Sequence, residues 1–447
     1  MYLLEQVRVL DPVANTDEIA DVLIREDGCI EAITPHLVDR SGNIEVKPCQ
    51  GLVLAPGLVD LYSYGGEPGF EERETVASLM ASAGAGGFTR VALLPTLVPP
   101  VDRPGTLVAM TQRGLAAAQE WQNRHRHPLA LPPRLYFWGA LTEGVQGQQM
   151  TEVGELATTE IVGFADGEPI HNLNLLRHLL EYLKPFQKPV ALYLCDRKLA
   201  GSGVMREGND SIRFGVRGIP QIAETVALAG VLELIAEINI PVHLMRVSTA
   251  RSVELIREAK ARGVPVTAST PWSHLLLNTG CIQGNWGNTV EQSHVPLNSI
   301  PYNPSLRVDP PLGTVADQQA LLTGVKTGII DAIAVDHRSY TYEEKTVAFA
   351  NAPPGMIGLE LVLPLLWQQL VTPGHWSALE LWRALSSQPA LCLQQSPPTL
   401  QVNQPAEAIL FDPNCRWFVN QQTLKSLGNN TPWLDQQVAG AVISWVE

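Results

Sequence analysis

The spacing of apolar and polar positions divides the chain into three parts. Over residues 1–54 apolar and polar residues alternate in short runs, the period of half-buried strands. Y-L-L-E-Q-V-R-V-L is one predicted strand. A-D-V-L-I-R-E-D-G-C-I-E-A-I is a predicted hairpin turning at Asp27-Gly28, and N-I-E-V-K-P is a further strand. Over 55–398 the pattern changes. Apolar, β-rich runs stand at 90–95 (R-V-A-L-L-P), 134–140 (R-L-Y-F-W-G-A), 189–195 (P-V-A-L-Y-L-C), 241–247 (P-V-H-L-M-R-V), 265–269 (P-V-T-A-S) and 332–336 (A-I-A-V-D). Between them lie helical patterns: E-T-V-A-S-L-M-A-S-A-G-A, L-N-L-L-R-H-L-L-E-Y-L, I-A-E-T-V-A-L-A-G-V-L-E-L-I-A-E and A-R-S-V-E-L-I-R-E-A-K-A-R-G. Strand–helix alternation of this length predicts βαβ units, a parallel sheet and a closed α/β barrel. Over 399–447 strands return, in A-E-A-I-L-F-D-P-N-C-R-W-F-V and V-A-G-A-V-I-S-W-V, so one small β-domain is expected from both termini.

Composition agrees with a large globular protein. Of 447 residues, 45% are apolar, enough for a full core, and only 17% are charged. A net charge of −14 argues against a nucleic-acid partner, which needs a basic face. No run of 18 apolar residues predicts a membrane span, and the first residues lack the basic start of a signal peptide. Six scattered cysteines without a C-x-x-C pair fit a reduced compartment, so a cytoplasmic protein without a zinc–thiolate site is expected.

The candidate chemistry starts at V-D-L-Y-S-Y-G-G, residues 59–66. Residues two apart on a strand point the same way, so Tyr62 and Tyr64 are expected side by side. No G-x-S-x-G and no P-loop occurs, which leaves hydrolase-elbow and nucleotide-binding readings without support. His125 and His127 form an H-R-H in a surface-loop context, and His178 is expected exposed on its helix. His243 and His274 stand near strand ends as hydrogen-bonded structural residues, and His337 is expected to point away from any site at Asp336.

Taken in order, the segments P-G-L-V-D (56–60), E-P-G-F-E-E-R-E-T (67–75), G-V-M-R-E-G (203–208), R-G-I-P-x-x-A-E (217–224), R-V-S-T-A-R-S-V-E-L-I-R-E-A-K (246–260), Y-N-P-S-L-R (302–307), I-A-V-D-H (333–337), A-P-P-G-M-I-G-L-E (352–360), F-D-P-N (411–414) and N-T-P-W (430–433) resemble dihydroorotase of the amidohydrolase superfamily. The resemblance runs essentially end to end. It implies a (β/α)8 barrel at 55–398 and a small β-sandwich shared by 1–54 and 399–447. It further implies a place in pyrimidine biosynthesis, interconverting carbamoyl aspartate and dihydroorotate. Active relatives hold one or two zinc ions at the carboxyl ends of the barrel strands.

This chain departs from the family at nearly every ligand. The H-x-H positions are Tyr62 and Tyr64. The histidine of H-C-E-D is Leu194, or Tyr193 with a one-residue shift. That of H-x-x-H-V-S-T is Arg246. The bridging position falls at Asp166, and the aspartate of T-D-H is kept as Asp336. Among substrate positions, Gly66 stands for an arginine, Thr96 for an asparagine, and Asn303 is retained. Zinc prefers imidazole, thiolate or carboxylate; a phenol is a poor substitute and a guanidinium has no lone pair to give.

The sequence therefore predicts no bound metal or cofactor, no catalytic residue, and an Asp336 that pairs with Arg246, within about 6 Å, as a carboxylate–guanidinium fork. Family members that have lost their metal ligands serve as non-catalytic partners of aspartate transcarbamoylase. The resemblance thus implies a structural partner of that enzyme's catalytic subunit and a homo-oligomer. A diverged cyclic-amide hydrolase with an atypical metal site and a small-molecule binder using the barrel mouth stay open as alternatives.

Overall fold

A computed structural model describes residues 1–37, 43–125, 127, 130–284 and 299–443. The chain opens with five strands: β1 (Tyr2–Asp11), β2 (Thr16–Ile24), β3 (Ile30–Thr34), β4 (Glu45–Pro48) and β5 (Val53–Pro56). The first three form an antiparallel meander, and β4 and β5 run parallel to β1. The predicted turn between β2 and β3 places Gly28 at φ +80°, a conformation that costs glycine no Cβ clash.

The barrel follows at once. Strands β6 (Leu58–Ser63), β7 (Phe88–Leu93), β8 (Arg134–Gly139) and β9 (Gly163–Phe164) are parallel neighbours. After β10 (Ala191–Tyr193), a short ribbon of β11 (Met205–Arg206) and β12 (Gly218–Ile219) leaves the barrel. The circuit resumes with β13 (Val242–Met245), β14 (Val266–Pro271) and β15 (Ala332–Ala334), again parallel. A Phe164–Val190 bridge joins the two halves on one side. On the other, Asp336 N donates to Tyr62 O (3.2 Å), Tyr64 N to His337 O (2.8 Å), and Val335 N to the Asp60 carboxylate (3.0 Å). The seam between first and last strand is therefore built by the residues that flank the mouth.

Inside, small residues on several strands (Ala92, Ala191, Ala332, Ala334) leave room for Tyr62, Trp138 and Tyr193. This alternation of small and large side chains packs a barrel interior solid. Outside, the predicted helices are present. Leu173–Leu183 buries Leu176, Leu179, Leu180 and Leu183, one face of a 3.6-residue period, and starts at Asn172, whose side chain accepts from two backbone amides. Several elements escape the sequence pattern, and two of them show why. β9 has two residues, too few to show a period. Helix Val315–Lys326 buries Asp317 and Gln318, which breaks its apolar stripe.

The chain returns to the terminal sheet with β16 (Ala408–Phe418), antiparallel to β5, and β17 (Gln437–Val442), antiparallel to β16. Both arise from the alternating runs noted above; residues 444–446 of the second run lie outside the described residues. All six cysteines are free. Among the described residues no helix is long and apolar enough to cross a membrane.

Barrel and terminal sheet are tied by one ion pair. Arg90 on β7 donates from Nε and Nη2 to the two oxygens of Glu407 (both 2.7 Å), just before β16. Its Nη1 reaches Gln395 and the Ser396 carbonyl. Both partners are largely buried, so removing one strands the other's charge. Arg90→Met is expected to cost about 3 kcal/mol, read as a lower urea midpoint; an unchanged midpoint would show that the pair does not couple the two units.

Candidate functional site

At the carboxyl ends of the barrel strands the centre is occupied by one guanidinium. Arg246, directly after β13, donates from Nε to Asp336 Oδ2 (2.8 Å) and from Nη2 to Asp336 Oδ1 (2.7 Å), the two parallel bonds of a carboxylate fork. Nη2 also reaches Tyr64 Oη (2.9 Å), and Nη1 reaches the Gly167 carbonyl (2.6 Å). The Arg246 side chain is 2% exposed and that of Asp336 14%, so the pair is screened from water. Three aromatic rings surround the cation, with Cζ 4.9 Å from the Tyr193 centroid, 5.4 Å from Tyr64 and 5.5 Å from Tyr62. Burial by itself lowers the Arg246 pKa. The charges of Asp336 and its other neighbours outweigh that and raise it well above the ordinary arginine value.

Both members of the fork have left-handed backbones, Arg246 at φ 56° and Asp336 at φ 51°. For a residue with a Cβ this conformation costs roughly 1–2 kcal/mol. Here it turns the chain off the strand so that Arg246 N donates to Tyr62 Oη (3.0 Å). Tyr62 Oη in turn contacts Ser269 Oγ (2.9 Å), which meets His243 Nε2 (2.8 Å), while His243 Nδ1 contacts Thr267 Oγ1 (2.9 Å). Burial, then the charge of Lys260, push the His243 pKa down to about 3, so the ring is neutral.

Tyr62, Tyr64, Arg246 and Asp336 are thus brought together, the first two as their spacing implies and the other two as the family resemblance implies. The β6–β7 register shifts between Asp60 and Ser63, yet both phenols still meet Arg246. Leu194 is not part of the group. The strand's pleat sends it into the apolar layer under the helices, and it is Tyr193 that faces the mouth.

Asp166 is buried nearby but turned aside. Its carboxylate accepts from Leu141 N (2.7 Å), Thr142 N (3.1 Å) and Thr142 Oγ1 (2.5 Å), and burial raises its pKa to about 6. Gly66 could bear no side chain on this backbone. A Cβ there would lie 2.1 Å from Glu74 O and 2.8 Å from Phe70 O. The Thr96 hydroxyl is buried without a hydrogen-bond partner. Asn303 serves its own loop, accepting from Ser305 N (2.9 Å) and donating to Ser299 Oγ (3.0 Å). His337 points away from the fork, its ring against Glu74 and the Gly358 amide.

An outer ring of charge is absent from the sequence reading. Asp309 accepts from Tyr193 Oη (2.7 Å) and Arg197 (2.5 Å), and Arg197 also meets Glu168 (3.1 Å). Arg338 lies 4.1 Å over the Tyr64 ring. The only signal for Asp309 was a charged residue just past Y-N-P-S-L-R. Nothing in spacing brings it to a strand end 116 positions away. The space left between Arg246, Asp309, Asp336, Arg338 and His274 is a cavity of about 20 Å³, room for a single water.

The zinc of active dihydroorotases does not fit this donor set. Both Asp336 oxygens are spent on Arg246, and the two phenols are held neutral, their pKa raised by burial. The Arg246 guanidinium, a permanent cation, stands among these groups and would repel a metal ion. Among the described residues no three His, Cys, Asp or Glu side chains are grouped to hold a metal ion.

The fold and its mouth define an amidohydrolase-type barrel. L-Hydantoinase (dihydropyrimidinase) from Arthrobacter aurescens superposes with a TM-score of 0.78 at 19% identity, over 100% of this chain and 95% of that one. D-Hydantoinase from a Thermus species gives 0.73 at 17% identity, over 100% and 94%. No protein-family model matches the chain. In sequence it is 43% identical to a probable dihydroorotase-like protein of Synechocystis sp., over 98% of both chains. It is 34% identical to a dihydroorotase of Pelobacter propionicus, over 99% of this chain and 97% of that one. The chain belongs to the dihydroorotase family.

Two measurements test the mouth. Arg246→Met leaves the Asp336 carboxyl largely buried and unforked, and is expected to cost roughly 3–5 kcal/mol in urea unfolding. A loss under about 1 kcal/mol, the range of exposed pairs, would contradict the arrangement. For His243 the unfolded ring protonates near 6.5 and the folded ring near 3. The stability this provides is complete above pH 6.5 and is lost as pH falls toward 3. Between pH 7 and 5 the wild type should lose about 2 kcal/mol more than His243→Gln; parallel pH curves would show the ring is not held neutral.

Proposed function

We propose that this chain is a non-catalytic dihydroorotase-like barrel of pyrimidine biosynthesis, acting as a structural partner in an assembly with the catalytic subunit of aspartate transcarbamoylase. One observation carries the non-catalytic part: the Arg246 guanidinium, forked onto Asp336, stands where hydrolysis or closure of the ring would need a metal-activated water and a polarised carbonyl. Gly66 adds that the carboxylate-gripping arginine has no place on this backbone. The partner rests on the family resemblance, in which members without metal ligands play that part. Of the alternatives, a binder using the mouth must reckon with a cavity of about 20 Å³. A diverged hydrolase must work without the imidazole ligands.

The expected outcome is a purified protein that holds far less than one zinc per chain after incubation with the metal, and turns over neither dihydroorotate nor carbamoyl aspartate above background. Stoichiometric zinc together with turnover would overturn the non-catalytic reading. Mixed with the transcarbamoylase catalytic subunit from the same organism, it should elute as a larger complex; two separate peaks at micromolar concentration would sink the assembly role.

A further inference from the structure

We propose that Lys345 is a nucleophilic amine that forms an imine with aldehydes carrying an apolar group, received from the groove beside it. Lys345 is 8% exposed, outside the barrel mouth. Its Nζ donates to the carbonyls of Pro304 (3.1 Å) and Pro353 (2.7 Å) and lies 5.2 Å from the centre of the Tyr340 ring. Among the described residues no carboxylate pairs with it. The adjacent Glu344 has both oxygens engaged by Arg73 (2.6–3.1 Å). An ammonium held by two neutral carbonyls and no anion is poorly compensated once buried.

The surrounding charges push the same way. Burial first, then the positive charges of Arg307 and Arg338, lower the amine's pKa to about 7, against an opposing pull from Glu344. Tyr340 stays a neutral phenol, raised by burial to about 12. A lysine tuned this way keeps a free lone pair near neutrality, the condition for carbonyl chemistry.

Lys345 and Pro304 also line an open groove of about 750 Å³ whose walls include Ile300, Tyr302, Tyr342, Val347 and Phe349. That is the size and character of a small-molecule site, with one polar reacting group on an apolar wall. Pro304 therefore belongs both to the amine's cradle and to the groove.

The step balances with the aldehyde alone. The nitrogen lone pair attacks the carbonyl carbon and a C–N bond forms. The C=O π pair moves to oxygen, which takes one amine proton, giving a carbinolamine. The second amine proton leaves with the hydroxyl as water, and the nitrogen lone pair closes the C=N bond. Protonated, the imine regains one N–H for the Pro353 carbonyl.

The test is reductive alkylation of the full chain with benzaldehyde and cyanoborohydride, scored lysine by lysine by peptide mass spectrometry. At pH 7 Lys345 should be labelled at least about tenfold faster than the exposed Lys198 and Lys425, and the excess should vanish near pH 10. Labelling no faster than at those two lysines, or a preference that ignores pH, overturns the proposal. Tyr342, 67% exposed on the groove wall, supplies the control. Tyr342→Ser should slow benzaldehyde labelling at Lys345 several-fold while leaving formaldehyde labelling unchanged. An equal effect on both aldehydes would remove the groove from the account.

Discussion

The fork between Arg246 and Asp336 is the interaction on which the mouth depends. It joins the end of β13 to the end of β15, and through Tyr64, Tyr62 and the Gly167 carbonyl it reaches the ends of β6 and β9. Strand ends arranged in a ring place their side chains close together whether or not they bind anything, and a carboxylate among them needs a positive partner once water is excluded. A metal ion is one such partner and a guanidinium is another. The second is covalently attached, so its presence does not depend on supply. Its planar set of donors matches one carboxylate, one phenol and a carbonyl, and its backbone amide takes the second phenol.

The segments that carry the family resemblance are largely occupied with structure. Arg206 of G-V-M-R-E-G donates to Ser248 Oγ (2.7 Å) and lies 3.9 Å from Glu224 of R-G-I-P-x-x-A-E. Glu224 accepts from Ser248 N (3.1 Å) and Thr249 Oγ1 (3.1 Å), and the Thr249 hydroxyl caps the helix Ala250–Ala261. Three distant stretches thus meet in one buried polar cluster beside the mouth. The cluster holds β11, the helix Ile222–Ile238 and the loop after β13 in register, a structural role for these motifs that needs no metal site beside them.

Much of the fold was legible because its periods are clean. The Leu173–Leu183 stripe and the Asp27-Gly28 turn each have a local cause, and the structure contains each. In the site, Tyr62 with Tyr64 was legible from strand geometry, and Arg246 with Asp336 from the positions the family resemblance implies together with their opposite charges. The rest was not, because it depends on where distant loops come to lie. Leu194 and Tyr193 differ only by the phase of a three-residue strand. Asp166 sits at the expected height but is claimed by two amides and a hydroxyl of the preceding loop. Asp309 enters the mouth from the long connection between β14 and β15, and Arg197 and Arg338 from just after β10 and β15, where no period sets their direction.

Gly66 carries a consequence for the rest of the chain. The turn around it has closed so tightly on Glu74 and Phe70 that even one methyl group has no room. Glu74 is in turn anchored to Ser426 near the C-terminus and to His337 beyond β15. Placing any larger side chain at position 66 would therefore require rethreading a loop pinned from two other parts of the chain. The identity of one residue beside the mouth is thus set by contacts that reach the C-terminal segment and the loop after β15.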